Sequence, residues 1–299
     1  MVHHDRCPLC SSELITIQFS CRDHFISKEA FTIIRCSRCG FLFTQDYPGE
    51  NEIYKYYESD DYISHSDTAE GIINKIYHLI RQVMLLRKRR IIKKLTGLKN
   101  GNLLDVGSGT GHFASVMKKS GWAVTGIEIN EKARNFSAST FGLEIVAPDK
   151  ISALKANSFD CVTMWHVLEH FHDPVKYISD IFTLMKPGGI CLVALPNCAS
   201  YDARYYNEFW AAYDVPRHLW HFDPLSFPHF SEKSGLKIER LMVLPFDVFY
   251  ISLLSEKYKG SRWPFMTGIA TAICFSFLAL FNNKRSSSVI YILSKSTDQ

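Results

Sequence analysis

Three clusters in this 299-residue chain combine residue types and spacings that can do chemistry. The stretch "MWHVLEH", Met164 to His170, holds His166, Glu169 and His170 in a His-x-x-Glu-His arrangement. On a long helix that spacing aims two imidazoles and a carboxylate at one metal and makes a hydrolytic site. Asp173-Pro174 follows almost at once and stops such a helix, so the hydrolytic reading is poor. Cys7-Pro8-Leu9-Cys10 and Cys36-Ser37-Arg38-Cys39 form two CxxC turns, each able to point two thiolates at one centre. Together Cys7, Cys10, Cys36 and Cys39 complete a closed tetrahedral S4 site, structural in character, for zinc or for iron. Gly40 suits the tight turn after the second pair, and Cys21 with His24 could compete as ligands. The third cluster is the loop Asp105-Val106-Gly107-Ser108-Gly109-Thr110-Gly111. It ends an apolar run and opens a helical one, so its backbone can approach a ligand closely. A dinucleotide fingerprint would place its third glycine where His112 stands, which weakens a nicotinamide reading.

These residues need a scaffold, and the chain supplies an alternation of strand and helix patterns from Asn102 onward. "NLLDVG", "AVTGIEI", "LEIVA", "FDCVTMW" and "GGICLVALPN" read as strands; "HFASVMKKSG" and "NEKARNFSASTFG" read as helices, with Asn130 a good N-cap. "LKIERLMVLPF" and "SSVIYILSK" read as two later strands. The fold class expected is therefore α/β, a doubly wound parallel sheet. Residues 1–47 read as a small zinc-ribbon-like module, and 48–98 as a linker plus an amphipathic helix from Gly71 to Leu95. The sheet domain occupies 99–299, with a hydrophobic insertion at about 247–286. The basic run "RKRRIIKK", Arg87 to Lys94, reads as a solvated helix face. A net charge of +4 is too mild to argue for nucleic acid. The start "MVHHDRCPLC" shows no apolar signal region, and CxxC pairs suit a reducing compartment, so a cytoplasmic protein is expected.

In order and spacing, "LLDVGSGTG", "VTGIEIN", "FDCVTMWHVLEHFHDP" and "LMKPGGICLVALPN" resemble the motifs of class I S-adenosylmethionine (SAM) methyltransferases. The resemblance covers Asn102 to about Asn197 and implies a Rossmann-like, seven-stranded sheet. It implies a SAM pocket made by Asp105, Gly107, Ser108, Gly109 and Gly111, with Glu128 accepting the ribose hydroxyls. Ile129 would pack on adenine, Asp149 would meet the adenine amino group, and Trp165 with His166 would form the pocket wall. On this reading Glu169 and His170 begin the next helix and pack locally, and His172 is a turn residue.

Methyl transfer is an in-line displacement, and an oxygen nucleophile benefits from a nearby base. His166, His218 and His221 are the candidate bases; Arg217 and Tyr213, in "YDVPRHLWHF", are candidate contacts for the acceptor. The acceptor atom expected is an oxygen or carbon of a small molecule, sugar nucleotide, or glycan- or lipid-linked precursor. Two alternatives are a catalytically idle SAM-binding scaffold recruited through its zinc module and a metal-assisted RNA 2′-O-methyltransferase. The second resembles "HVLEH" except that His166 stands where that family has glutamate. "FMTGIATAICFSFLALF", Phe265 to Phe281, has no charge. A buried or lid helix is the default there, and an interfacial helix giving peripheral membrane contact is the alternative.

Overall fold

The computed structural model describes residues 1–57 and 72–295, with backbone alone described over 72–79. In chain order the strands are β1 (Ile15–Arg22), β2 (Ala30–Cys36), β3 (Leu42–Gln45), β4 (Asn102–Val106), β5 (Ala123–Ile127) and β6 (Glu144–Val146). There follow β7 (Phe159–Trp165), β8 (Met185–Pro196), β9 (Trp220–His221), β10 (Leu236–Val243) and β11 (Ser288–Lys295). The helices are α1 (Ile72–Thr96), α2 (His112–Lys119), α3 (Glu131–Phe141), α4 (Pro174–Leu184), α5 (Tyr201–Tyr206), α6 (Phe227–Lys233), α7 (Asp247–Tyr258) and α8 (Pro264–Phe281). The linker stretch "ESDDYISHSD" and Gly71, the first residue of the expected amphipathic helix, lie outside what is described.

Seven strands form one sheet in the order β10-β11-β8-β7-β4-β5-β6. β4 lies parallel to both β5 and β7, and β5 lies parallel to β6. The reason is legible in the runs themselves. Leu103, Leu104, Val162 and Met164 are fully buried, as strands covered on both faces must be. Asn130 caps α3 by accepting from Ala133 N–H at 3.0 Å, and Gly142 closes that helix in the left-handed conformation. The chain runs from β4 outward to β5 and β6, then returns to β7 on the other side of β4. The switch of direction falls beside the carboxyl ends of β4 and β7, where open α/β sheets receive ligands.

Contacts divide the described residues into two compact units. One draws on 72–165, Lys176–Val193 and 293–295, the other on 1–57, His166–Val175 and Ala194–Ile292. The second unit carries a four-stranded sheet in the order β1-β2-β3-β9, antiparallel between each neighbouring pair. Strand β9 is too short to be read from sequence, yet it extends the cysteine-bearing hairpin with Trp220 and His221, distant from it in sequence. Leu42 pairs with His221 and Phe43 with Trp220.

Candidate functional site

The first unit contains a cradle at the end of β4. Gly107 and Ser108 N–H both donate to the Ile127 carbonyl, at 2.7 and 3.0 Å, and Gly111 N–H donates to Ser108 at 3.0 Å. Gly109 N–H donates to Glu128 Oε2 at 2.8 Å, while Glu128 Oε1 accepts from Asn130 N–H at 2.9 Å. Four loop amides are thus engaged inside the protein. A phosphate-binding loop instead turns such amides toward the anion. Glu128 keeps further lone pairs for two hydroxyl donors. This is a cradle suited to a cationic, hydroxyl-bearing ligand without a pyrophosphate.

Asp105 sits beneath the loop, fully buried, accepting from Thr163 Oγ1 at 2.7 Å across the β4–β7 register. Burial pushes its carboxyl up to about 7, against the Thr163 hydrogen bond and the nearby Lys88 charge, with Glu128 adding to the rise. Trp165 closes β7 edge-on to Phe113, ring centres 5.5 Å apart, and Lys88 Nζ stands 4.1 Å from its ring centre. Ile129 is exposed, and Asp149 is exposed and paired with Lys150 at 3.2 Å.

The loop glycines differ in kind. A methyl at Gly111 would meet Ser137 Oγ at 2.7 Å and Leu143 Cδ1 at 2.8 Å, whereas one at Gly109 meets nothing within 4 Å. Both have left-handed φ, +78° and +53°. Gly109→Ala is therefore expected to cost only the left-handed backbone penalty, about 1–2 kcal/mol, and to weaken SAM binding through the methyl it adds. Gly111→Ala adds overpacking of about 1–3 kcal/mol to that penalty. Thermal melting and SAM titration of both variants check this; equal melting losses would contradict it.

The second unit gathers the titratable residues. The chain enters it across the Trp165–His166 peptide bond, with His166 at φ +59°. Glu169 is buried in a short 3-10 turn, Leu168–His170, rather than opening a helix. His166 Nδ1 lies 3.6 Å and His218 Nε2 4.0 Å from Glu169 Oε1, yet neither Glu169 oxygen has a hydrogen-bond partner among the described residues. Burial raises the Glu169 carboxyl, but His166, His218 and His170 outweigh it and hold it low. Burial likewise opposes charge on His166. The Asp247 hydrogen bond at 2.9 Å, with Glu169 beside it, prevails and lifts that imidazole to about 9.

Ligand-type atoms of Glu169, His170 and His218 all lie within 4.8 Å of one another. His218 Nδ1 is 2.8 Å from the Ala212 carbonyl, and His170 Nδ1 is 3.0 Å from the Arg217 carbonyl. An Nδ1–H donated to a carbonyl fixes the tautomer that leaves Nε2 with a lone pair, the usual preparation of a metal-binding histidine. Among sequence-expected residues, then, His166 and His218 come together, joined by Glu169 and His170, which sequence reasoning set aside.

Other expectations are corrected. Arg217 does not face an acceptor. It is buried, with Nε and Nη2 on Asp214, Nη2 also 3.0 Å from Asp23, and Nη1 donating to the Tyr56 carbonyl. Its fork is used to pin three segments of the second unit. Tyr213 is core, edge-on to Phe19, Trp210 and His221. His221 makes a poor base. It is buried against Thr44 Oγ1 at 3.0 Å, and burial followed by the His218 charge drops it to about 3. Cys21 is buried against the Glu208 carbonyl and His24 stacks on Tyr258, so neither joins the four-cysteine cluster. His172 does lie in a turn, with Nε2 2.9 Å from the Pro48 carbonyl.

In that cluster the four Sγ atoms lie within 4.8 Å of one another, with Cys7–Cys39 at 3.7 Å and Cys10–Cys36 at 3.6 Å. A tetrahedron with arms of about 2.3 Å, the zinc–thiolate length, has edges of about 3.8 Å. The donor set and spacing fit zinc.

A family described as a methyltransferase domain matches residues 78–241, more than half of the chain. The chain belongs to the class I SAM-dependent methyltransferases. Among curated relatives, the ubiquinone biosynthesis O-methyltransferase of Thiobacillus denitrificans is 34% identical over 163 residues, 50% of this chain and 70% of that protein. The protein of the same name from Psychrobacter arcticus is 34% identical over 110 residues, 34% of this chain and 43% of its own length. This methyltransferase spans about half the length of the first such relatives it matches. A SAM-dependent methyltransferase from Thermotoga maritima has the same fold, at TM-score 0.50 and 16% identity, over 79% of this chain and 99% of its own. The cradle residue that sequence reasoning missed in this methyltransferase is Lys88. It sat inside a basic run read as solvated, and only the aromatic pair it stands over distinguishes it from its neighbours.

Proposed function

We propose that this methyltransferase moves the methyl group of SAM to an oxygen of a small, glycan-type or lipid-linked acceptor. The observation that carries methyl transfer is the loop after β4. Its amides are tied inward to Ile127, Ser108 and Glu128, which disfavours a pyrophosphate cofactor and suits SAM. Asp105, Gly107, Ser108, Gly109, Gly111, Glu128 and Trp165 are the residues proposed for that cofactor, with Ile129 and Asp149 at its exposed rim. The choice of oxygen draws on the names of the curated relatives, O-methyltransferases of ubiquinone biosynthesis. Of the three candidate histidines, His218 suits the base, because its Nδ1 is committed to Ala212 and its Nε2 faces Glu169. His166, held as a cation, suits charge stabilisation instead.

A second feature favours metal assistance. Glu169, His170 and His218 offer a buried carboxylate without a hydrogen-bond partner among the described residues and two prepared imidazoles, a donor set that fits a divalent cation. When bound there, such an ion would lower the pKa of an acceptor hydroxyl.

The test is methyl-labelled SAM incubated with protein and extract, then separated into lipid, nucleic-acid, protein and small-molecule fractions. Label in the lipid or small-molecule fraction is expected. Label confined to nucleic acid would favour the RNA reading, and no label despite bound SAM would favour the idle scaffold. Glu169→Gln is expected to keep SAM binding and lose about 10²-fold or more in transfer. Metal analysis of the same variant separates the two mechanisms: loss of one metal equivalent relative to wild type supports the ion, unchanged content the histidine base alone.

A further inference from the structure

Helix α8 is 18 residues long with mean hydropathy 1.9, yet only 17% of it is buried. The expectation of a buried helix therefore fails. One face is docked on the second unit. A methyl on Gly268 would meet the Leu253 backbone at 2.9 Å, Thr267 Oγ1 donates to Glu256 at 3.0 Å, and Thr271 and Tyr206 share a hydrogen bond of 2.7 Å. The opposite face is apolar and open. Met266, Ile273, Phe277, Leu280 and Phe281 are exposed, Phe277 at 59% and Leu280 at 79%, and they recur at helical spacing. Beside the helix, Trp263 is 63% exposed at its start.

The flanks decide what covers this face. Lys257, Lys259 and Arg262 precede it and Lys284 and Arg285 follow it. Among the described residues none of these five has an ion-pair partner, and the nearby Glu256 is buried. The ends of the helix are both cationic, so pairing with a second copy, parallel or antiparallel, would set cation against cation. Both ends are also held to the same unit. Ser261 N–H donates to the Glu256 carbonyl, and Asn197 Nδ2 donates to the Lys284 carbonyl at 2.9 Å. A helix tied down at both ends and along one side lies on a surface; it does not cross one.

We infer that α8 is a membrane-docking helix, its Met266–Phe281 face seated at the boundary of headgroups and acyl chains and its basic flanks on anionic headgroups. Unlike a free amphipathic anchor, α8 has no charged face of its own; the second unit covers its other side, and the boundary anchors are its aromatic residues and the Lys/Arg beside it. It stands independently of which acceptor is methylated.

Flotation of the full chain, purified with its metal, with vesicles of phosphatidylcholine alone or containing phosphatidylglycerol tests the inference. Flotation with the anionic vesicles, weakened by salt, is expected. The double variant Ile273→Glu/Phe277→Glu alters exposed positions only. It should lose about tenfold or more of the membrane-bound fraction while binding SAM like wild type. Wild type left in solution with both compositions, or a double variant that floats equally well, would overturn the inference. A dimer in buffer that the double variant dissociates would assign the face to a second copy, and resistance of membrane-bound protein to alkaline extraction would assign it to a span; either would overturn it.

Discussion

Chelation of metal from the four-cysteine cluster is expected to unfold the second unit well beyond the cluster. The four sulfurs, 3.6 and 3.7 Å apart in their closest pairs, lie too far apart for disulfides near 2.05 Å and at the edge length of a metal tetrahedron. Structural zinc sites contribute on the order of 10 kcal/mol of folding free energy, comparable to the whole stability of a domain. The effect spreads because the hairpin is not self-contained. Strand β3 pairs with β9, Thr44 Oγ1 donates to the His218 carbonyl at 2.8 Å, and Asp23 accepts from Arg217 at 3.0 Å. Loss of the metal should therefore disorder His218 along with the cysteines. One zinc equivalent lost in Cys36→Ser/Cys39→Ser, a melting point lowered by tens of degrees on chelation, and exchange protection lost at residues 217–221 are the expected readings. A metal-free protein that melts with the native one would overturn the site.

How far the sequence carries can be judged from these residues. The strands around β4 were legible because parallel strands buried on both faces must be apolar throughout, and "NLLDV" and "CVTMW" are. The glycine loop was legible because its spacing and neighbours leave few alternatives. The cysteine pairs were legible by spacing alone. The surroundings of Arg217, His221 and Tyr213 were not, since a dense run of functional side chains reads the same whether it faces a ligand or a core. Only the contacts with Asp23, 194 positions away, and Thr44, 177 positions away, turn Arg217 and His221 inward. The 3-10 turn that holds Glu169, in place of a helix start, was illegible for a related reason. A carboxylate at the start of a helix is an ordinary cap by sequence, and its burial among three histidines depends on β9 and the 212–218 turn, which no periodicity announces. The exposed face of α8 is a third case, because an uncharged run looks alike in a core, in a lid and on a membrane.

Replacing Asp105 by asparagine is expected to stabilise the cofactor-free protein while weakening its hold on SAM. The carboxyl is fully buried, and burial raises it from the ordinary 3.8 to about 7 even though Thr163 donates to it and Lys88 stands near. Its folded value lies above its unfolded one. The native state therefore keeps a proton, between about pH 4 and 7, that the unfolded chain releases, and stability falls as pH rises through that window. Above it both states are ionised and the native state bears the full desolvation cost, about 4 kcal/mol as an upper bound. Asparagine keeps the shape and an oxygen for Thr163 but cannot ionise. Denaturation of cofactor-free protein should show Asp105→Asn ahead of wild type by about 2–4 kcal/mol at pH 8 and level with it near pH 4. SAM affinity should move the other way, since an ionised Asp105 favours the ammonium of the ligand. Wild-type binding should tighten as pH passes about 7, and the variant should lose both that dependence and about tenfold or more in affinity. Parallel stability curves for the two proteins, or a variant that binds SAM as wild type does at pH 8, would show that the carboxylate is structural and that the cradle acts through Glu128 alone. The opposite signs of the two effects are what mark a group kept at a cost to the fold for the sake of a ligand.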